Sequence, residues 1–179
     1  MAWPWSWLRQ WEASTILNLL DDVRDMRVLD LGSGAGFYTR LLLANGASHA
    51  HAVDAEAAML AQLPHERVST TVGDAATVTL PRPFRSIVCA GLLEFVADPV
   101  AVLANVRRAA TPDAVLVCLV PAANLWGRCY RRFHRRHGIT VRLFRPATLR
   151  QTAEAASWKV DSLQSLWPSA LCARLRPAA

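Results

Sequence analysis

The feature that most constrains this chain is the segment Val28–Leu43, where an apolar run ends in three closely spaced glycines and a second apolar stretch follows. Glycine is required where the backbone turns with a positive φ angle or where a ligand presses against the main chain. We therefore expect a strand, a tight turn through Gly32, Gly34 and Gly36, and a helix that begins near Phe37. The N-terminus of such a helix offers unpaired N–H groups to a ligand.

Apolar runs typical of strands alternate with amphipathic stretches along the rest of the chain. Most of these runs are continuous, which is typical of a sheet covered on both faces. The expected strands are Arg27–Leu31, Ala50–Val53, Arg67–Val72, Ser86–Ala90, Ala114–Val120, Lys159–Leu166 and Ala170–Arg176. The expected helices are Trp7–Leu20, Phe37–Ala44, Ala55–Gln62, Pro99–Ala109 and Pro146–Ala156. This alternation predicts right-handed crossovers and a parallel sheet.

The end of the chain departs from this pattern. Only Trp167, Pro168 and Ser169 separate the last two expected strands, and so short a link permits only a hairpin. We therefore expect one edge strand to be antiparallel. The predicted fold class is α/β, a Rossmann-like three-layer sandwich with a mostly parallel seven-stranded sheet and an antiparallel C-terminal hairpin. In open sheets of this kind, ligands bind beyond the carboxyl ends of the strands.

Length and composition exclude several classes of protein. The 179 residues predict a single domain, and a content of 53% hydrophobic with 19% charged residues excludes a disordered chain. No stretch approaches about 20 uninterrupted apolar residues, and the N-terminus lacks the regions of a secretory signal. The four cysteines, Cys89, Cys118, Cys129 and Cys172, form no C-x-x-C pair. We interpret them as free thiols in a reducing cytoplasm and expect no metal site.

The spacing of the glycines distinguishes between two classes of cofactor. Nicotinamide enzymes use G-x-G-x-x-G to hold a diphosphate, whereas this turn reads G-x-G-x-G and follows Asp30. A carboxylate repels a diphosphate but attracts an ammonium or sulfonium group. Asp54 lies 18 residues after Gly36, at the end of the next expected strand, and can accept hydrogen bonds from both hydroxyls of a ribose. The pattern favours a cationic cofactor that carries an amino acid.

The segment Asp30–Gly36, which reads D-L-G-S-G-A-G, resembles the first motif of the class I S-adenosylmethionine (SAM)-dependent methyltransferases. The resemblance covers roughly residues 20 to 120, in order and at the usual spacings. The further matching segments are Val53–Leu60, Val72–Val78 and Ile87–Pro99. The resemblance implies a methyltransferase that uses SAM as its cofactor.

The resemblance also implies a division of the chain. We expect one methyltransferase domain over residues 1–179, with a tryptophan-rich N-terminal helix in residues 1–20 and a basic lid or acceptor insert in residues 121–145. Two alternatives remain open. One is a protein of this fold with a non-methylating role, either pericyclase-like or regulatory, and the other is a nicotinamide-dependent oxidoreductase.

On the methionine side of the cofactor, the resemblance implies roles for Asp30, for the glycine turn and for the end of the fourth expected strand. The backbone near Ala90 and Gly91 would approach the methionine ammonium group. Tyr38 would reach the methionine carboxylate or would serve only in packing. The residues of the glycine turn with such a role are Gly32, Ser33, Gly34 and Gly36.

On the nucleoside side, the resemblance implies that Asp54 holds the ribose hydroxyls and that Asp74 accepts a hydrogen bond from the adenine amino group. The residues expected around the adenine are Ala55, Met59, Gly73, Asp74 and Ala75. Simpler alternatives remain open for three of these residues. Asp54 could only cap the following helix, Asp74 could only form a turn, and Met59 could belong to the core.

The acceptor site is less well marked. Glu94 lies in a segment that often reads L-E-H in the family, but Phe95 replaces the histidine here. Glu94 could polarise an acceptor or bind an amine, or it could be a surface carboxylate. The other candidates for a catalytic base are His134, His137 and Tyr130.

The segment Asn124–Gly138 predicts an amphipathic helix with a basic face. The net charge of +6 arises here, because residues 114–153 contain eight arginines and no Asp or Glu. Three interpretations remain open: a lid with solvated arginines, a site for an acidic acceptor or acyl-carrier protein, or a contact with an anionic membrane. We expect no nucleic-acid partner, because the segment lacks a recognisable binding module.

Four tryptophans near the N-terminus bear on the same choice. Trp3, Trp5, Trp7 and Trp11 lie within the first eleven residues, and Trp7, Leu8 and Trp11 share one helical face. This face would dock on the core or meet a membrane interface, which tryptophan prefers. We therefore expect a small or lipid-like acceptor and a cytoplasmic enzyme, with a peripheral membrane location left open.

Overall fold

A seven-stranded sheet forms the centre of the computed structural model, which describes residues 5–81 and 83–178, with side chains described from residue 8 onward. The strands are β1 (Arg27–Leu31), β2 (His49–Asp54), β3 (Val68–Val72), β4 (Phe84–Ala90), β5 (Ala110–Pro121), β6 (Trp158–Leu166) and β7 (Ala170–Pro177). The helices are α1 (Trp5–Leu19), α2 (Phe37–Ala44), α3 (Ala57–Leu60), α4 (Pro99–Ala109), α5 (Leu125–Arg136) and α6 (Pro146–Ala155). The strand order is β3-β2-β1-β4-β5-β7-β6, and β1 to β5 are mutually parallel, as predicted.

The reversed strand is β7, which pairs antiparallel with both β5 and β6. The predicted C-terminal hairpin is confirmed: β6 takes the edge position and pairs antiparallel with β7, while the reversed strand β7 lies inside the sheet. The sequences of the two strands explain this placement. Leu171, Cys172 and Ala173 of β7 are all buried, as a strand covered on both faces requires, whereas β6 exposes Lys159 and Asp161.

Alternate residues of the central strands point to opposite faces of the sheet and contribute to two separate hydrophobic cores. Helices cover each core, so the fold has three layers. On one face, Leu29 and Leu31 of β1 pack in a buried cluster with Leu103 of α4 and Leu149 of α6. On the other face, Val28 packs with residues of α1 and α2. The apolar runs that predict the strands are thus buried from both sides, and the carboxyl ends of the parallel strands remain available for a site.

Helices α3 and α1 differ from their predicted extent by two residues at one end or both. Helix α3 covers only Ala57–Leu60, because the Asp54 carboxylate accepts a hydrogen bond from the Glu56 N–H and holds the preceding residues in a turn. Helix α1 begins at Trp5, but Trp3 and the side chains of Trp5 and Trp7 lie outside the described residues. Among the described helices, none combines the length and hydropathy needed to cross a bilayer.

Candidate functional site

The glycine turn follows β1 and is anchored to the end of β2. The N–H groups of Gly32 and Ser33 donate hydrogen bonds to the Val53 carbonyl at 2.8 and 3.0 Å. Gly32, Gly34 and Gly36 have φ angles of 72°, 52° and 84°, which other residues rarely adopt. A Cβ atom on Gly36 would also collide with the Leu63 side chain. The turn therefore requires all three glycines for conformation, and Gly32 and Gly36 also for space.

Asp54 is fixed at the carboxyl end of β2 by two backbone donors. Its Oδ2 accepts a hydrogen bond from the Gly34 N–H at 2.8 Å, and its Oδ1 accepts one from the Glu56 N–H at 3.0 Å. Each carboxylate oxygen has two acceptor positions, so one on each oxygen remains for a ligand. Asp54 thus forms a turn ahead of α3 without capping that helix, whose N-cap residue is Glu56, and it keeps the capacity to bind two hydroxyl groups.

A cavity of about 430 Å³ lies beyond the carboxyl ends of β1 to β3. Its lining residues are Gly32, Val53, Asp54, Ala55, Gly73, Asp74, Ala75, Ala76, Leu92, Val96, Ala97 and Asp98. The structure thereby brings together Gly32, Asp54 and the predicted adenine-side residues with the exception of Met59. Met59 lies exposed on α3 and is not among the lining residues. Asp74 is exposed, and its Oδ1 accepts a hydrogen bond from the Ala76 N–H at 2.9 Å, so it also forms the turn considered above.

Sequence reasoning missed the opposite wall of this cavity. Leu92 and Val96 supply apolar surface there, and the Leu92 side chain lies 2.8 Å from the position that a Cβ atom on Gly32 would occupy. The signal was present in the apolar residues after β4, but the sequence does not show that this irregular segment folds back over the glycine turn.

Asp30 does not line this cavity. Its side chain is buried beneath α2, and one oxygen accepts a hydrogen bond from the Thr39 hydroxyl at 2.6 Å. Burial, with a smaller contribution from the nearby Asp54 charge, raises the pKa of Asp30 to about 6 despite the hydrogen bond from Thr39. Tyr38 is half-buried on the same helix, and burial raises the pKa of its hydroxyl. Within the described chain, the buried Ser33 hydroxyl has no hydrogen-bond partner, so the turn retains one unsatisfied polar group.

A second, smaller cavity, the Glu94 pocket, lies beside the ends of β4 and β5. It has a volume of about 150 Å³. The residues that line it are Glu12, Gly91, Glu94, Leu119, Val120, Pro121, Tyr130, Ser169 and Ala170. Gly91 and Glu94 are neighbours, because a Cβ atom on Gly91 would lie 3.9 Å from Glu94 Oε1.

Glu94 is the most unusual titratable group of this pocket. Its side chain is only 6% exposed, and its Oε2 has no hydrogen-bond partner among the described residues. Burial raises the pKa of Glu94 to about 7. Burial also raises the pKa values of Glu12 and Tyr130. Glu94 therefore combines burial, an unpartnered oxygen and a raised pKa, which are the features of a candidate acid or base.

The two histidine candidates do not line the Glu94 pocket. The ring of His134 contacts the rings of Tyr130 and Phe95, with centroids 4.4 and 6.0 Å apart. His137 is exposed, and its Nδ1 lies 3.0 Å from the Phe133 carbonyl oxygen. Phe95, which replaces the histidine of the L-E-H segment, thus helps to dock α5. Within the described chain, no cluster of His, Cys, Asp and Glu side chains is arranged to hold a metal ion.

The chain resembles known methyltransferases in both sequence and fold. A sequence model described as "Methyltransferase domain" matches residues 5–163. A SAM-dependent methyltransferase from Mesorhizobium loti is 16% identical with a TM-score of 0.76, over 91% of this chain and 96% of that chain. The DhpI-SAM-HEP complex is 24% identical with a TM-score of 0.77, over 97% of this chain and 88% of that chain. The putative methyltransferase of Haloferax volcanii, in complex with the Trm112 activator, is 17% identical with a TM-score of 0.81, over 93% of this chain and 88% of that chain. No protein of curated function matches the sequence significantly.

Proposed function

The chain belongs to the methyltransferase domain family and is a SAM-dependent methyltransferase, and from this premise we propose that it methylates an O, N or C atom of a small or lipid-like acceptor held beside Glu94. The observation that carries the proposal is the juxtaposition of the two cavities. Leu92 and Val96 line the larger cavity, and Gly91 and Glu94 line the smaller one, so one short segment forms a wall of both.

The larger cavity fits the nucleoside part of SAM. The free acceptor positions of Asp54 suit the two ribose hydroxyls, and Asp74 with the Ala75 N–H suits the edge of the adenine. The apolar wall of Leu92 and Val96 suits the adenine ring. These assignments are supported by the lining residues and by the two backbone donors that fix Asp54.

The glycine turn fits the methionine part of the cofactor. The unsatisfied Ser33 hydroxyl and the backbone at Gly91 offer polar partners, and Tyr38 lies on the adjoining helix. Asp30 would act from below the turn, as a buried carboxylate whose charge favours a cationic ligand. SAM, when bound, supplies a methyl group on a positively charged sulphur, so the chain must chiefly align the acceptor and exclude water.

Glu94 would act as the general base that removes a proton from the acceptor. An ionised Glu94 can take the proton that a hydroxyl or amine loses, and its pKa near 7 suits such a base at neutral pH. Tyr130 lies across the same pocket and would orient the acceptor. Removal of a positioned base typically slows a reaction by about 10²- to 10⁴-fold.

The arginines of α5 support a narrower form of the proposal, in which the acceptor is acidic or bound to an acidic carrier. Their positive charge would favour a carboxylate or phosphate on the acceptor. A cytoplasmic location is supported by the buried free thiols of Cys89, Cys118 and Cys172, which a reducing compartment preserves.

The test is transfer of a labelled methyl group from SAM to a metabolite and lipid extract of the source organism. We expect a labelled product, and we expect Glu94→Gln to lower kcat by about 10²-fold or more with little change in the KM for SAM. Glu66→Gln, at an exposed site away from both cavities, is the matched control. Binding of SAM without any labelled product would favour the non-methylating alternative. An unchanged kcat in Glu94→Gln would remove Glu94 from the chemistry.

A further inference from the structure

Helix α5 is held in a fixed orientation by its buried side. The Asn124 side chain accepts a hydrogen bond from the Gly127 N–H at 2.8 Å and donates one to the Pro168 carbonyl at 2.8 Å. Gly127 is buried against the Ala122 carbonyl, with which a Cβ atom would collide. Tyr130 and His134 continue this inward side. The remaining faces of the helix therefore point consistently away from the core.

One outward face carries large apolar side chains. We define the aromatic patch as Leu125, Trp126 and Phe133 of α5 with Trp167 of the β6–β7 turn. Their exposed fractions are 72%, 56%, 60% and 59%. The rings of Trp126 and Trp167 meet edge to face with centroids 6.4 Å apart, so the helix and the turn form one continuous surface. A contiguous exposed apolar surface of this kind marks a site of interaction.

The other exposed flank of α5 is strongly basic. Arg128, Arg131, Arg132 and Arg135 line a shallow cavity of about 470 Å³ beside the helix. Among the described residues, none of these four guanidinium groups forms an ion pair with a carboxylate. No acidic residue lies between positions 114 and 153 to neutralise them. The positive charge of this flank is thus available to an external anion.

We propose that α5 and the β6–β7 turn dock the enzyme on an anionic lipid bilayer, with the aromatic patch in the headgroup region and the flanking arginines on lipid phosphates. Tryptophan favours the membrane interface, and arginine keeps its charge in the headgroups while its stem covers apolar surface. With about 3.6 residues per turn, Arg131 and Arg135 lie on the opposite flank of α5 from Trp126 and Phe133. The outermost side of the helix between these flanks carries the exposed Leu125 and Arg132 and would rest on the headgroups.

Docking would bring the Glu94 pocket close to the bilayer, because Tyr130 of α5 lines that pocket. The acceptor would then be a lipid or a lipid-like molecule taken from the membrane. This consequence rests on the proposed function, whereas the docking surface itself does not depend on methyl transfer.

The test is cosedimentation of the full chain with vesicles, in the absence of SAM. We compare phosphatidylcholine vesicles with vesicles that also contain phosphatidylglycerol, at low and high salt. We expect binding to the anionic vesicles alone, weakened by salt because exposed charges are screened. The double variant R131Q/R135Q should bind about 25-fold more weakly, at about fivefold per arginine. R24Q/R150Q removes the same charge from exposed sites elsewhere and should bind as the wild type does.

A second variant tests the aromatic patch. W126S/F133S alters two exposed side chains and should reduce vesicle binding while the unfolding midpoint stays unchanged. Equal binding to neutral and anionic vesicles would overturn the proposal, and so would equal binding of the arginine variant and its control. Absence of vesicle binding together with capture of a purified acidic acyl-carrier protein would overturn it in favour of a protein partner. Methyl-transfer activity is not a readout in any of these measurements, so failure of docking and failure of the proposed function are separate results.

Discussion

Substitution of Glu94 by glutamine should make the protein's stability less dependent on pH. Glu94 is 6% exposed, and burial raises its pKa from 4.5 to about 7. Between these values the folded chain holds a proton on Glu94 that the unfolded chain has lost, so unfolding releases a proton. Rising pH therefore lowers the free energy of unfolding of the wild type through this group.

The size of the effect follows from the same two values. One pKa unit corresponds to about 1.4 kcal/mol, so ionisation of Glu94 should destabilise the folded wild type by about 3 kcal/mol above pH 7. The stabilising contribution of the protonated form is complete below pH 4.5 and is lost as the pH rises through 7. Glutamine cannot ionise, so the difference in unfolding free energy between Glu94→Gln and the wild type should grow by this amount.

Urea denaturation of both proteins at several pH values measures this difference. The comparison uses the change with pH, which cancels any constant effect of the buried amide on packing. Glu66→Gln, at an exposed position, should show no such change. A difference between Glu94→Gln and the wild type that stays constant from pH 4.5 to pH 8 would refute the reasoning, because Glu94 would then not be held in a desolvated pocket.

Three further predictions concern the elements that position the site. Gly36→Ala should destabilise the fold by about 1–3 kcal/mol in urea denaturation, because it combines a positive φ angle with a collision against Leu63. Gly138→Ala has a similar φ angle but open space around it, so a loss as large as that of Gly36→Ala would contradict the steric argument. Gly127→Ala should displace α5 and raise its rate of proteolysis, because a Cβ atom would collide with the Ala122 carbonyl. Cys129→Ala, on the exposed side of the helix, should not. Equal cleavage of the two variants would contradict the importance of the contact between Gly127 and Ala122. Thr39→Val should cost about 1–3 kcal/mol near neutral pH by leaving the buried Asp30 carboxylate without its 2.6 Å hydrogen bond, and unchanged thermal unfolding would show that this bond is not stabilising.

The fold and the cavity at the carboxyl ends of β1 to β3 follow from local patterns that the sequence displays directly. Continuous apolar runs predict buried strands, and closely spaced glycines predict a turn that only positive φ angles allow. Asp54 follows from its position at the end of a strand, since carboxyl ends of parallel strands meet at one edge of the sheet.

The remaining features depend on how distant segments pack. The position of β7 between β5 and β6 depends on which of the two hairpin strands is more deeply buried. The short link that predicts the hairpin does not show which strand lies inside the sheet. The inward direction of Asp30 depends on the pleat of β1 and on Thr39 nine residues later. The desolvation of Glu94 arises only when the segment after β4 meets α5 and the ends of β4 and β5, a contact between elements far apart in the chain.

Calorimetric titration with S-adenosylhomocysteine tests the central claim most directly. We predict that the wild type binds this ligand and that Asp54→Ala weakens binding by about 1–3 kcal/mol, because hydrogen bonds to a charged acceptor are lost. The Glu66→Ala control should bind as the wild type does. Absence of binding by the wild type at millimolar ligand, or an unchanged Kd in Asp54→Ala, would contradict the account.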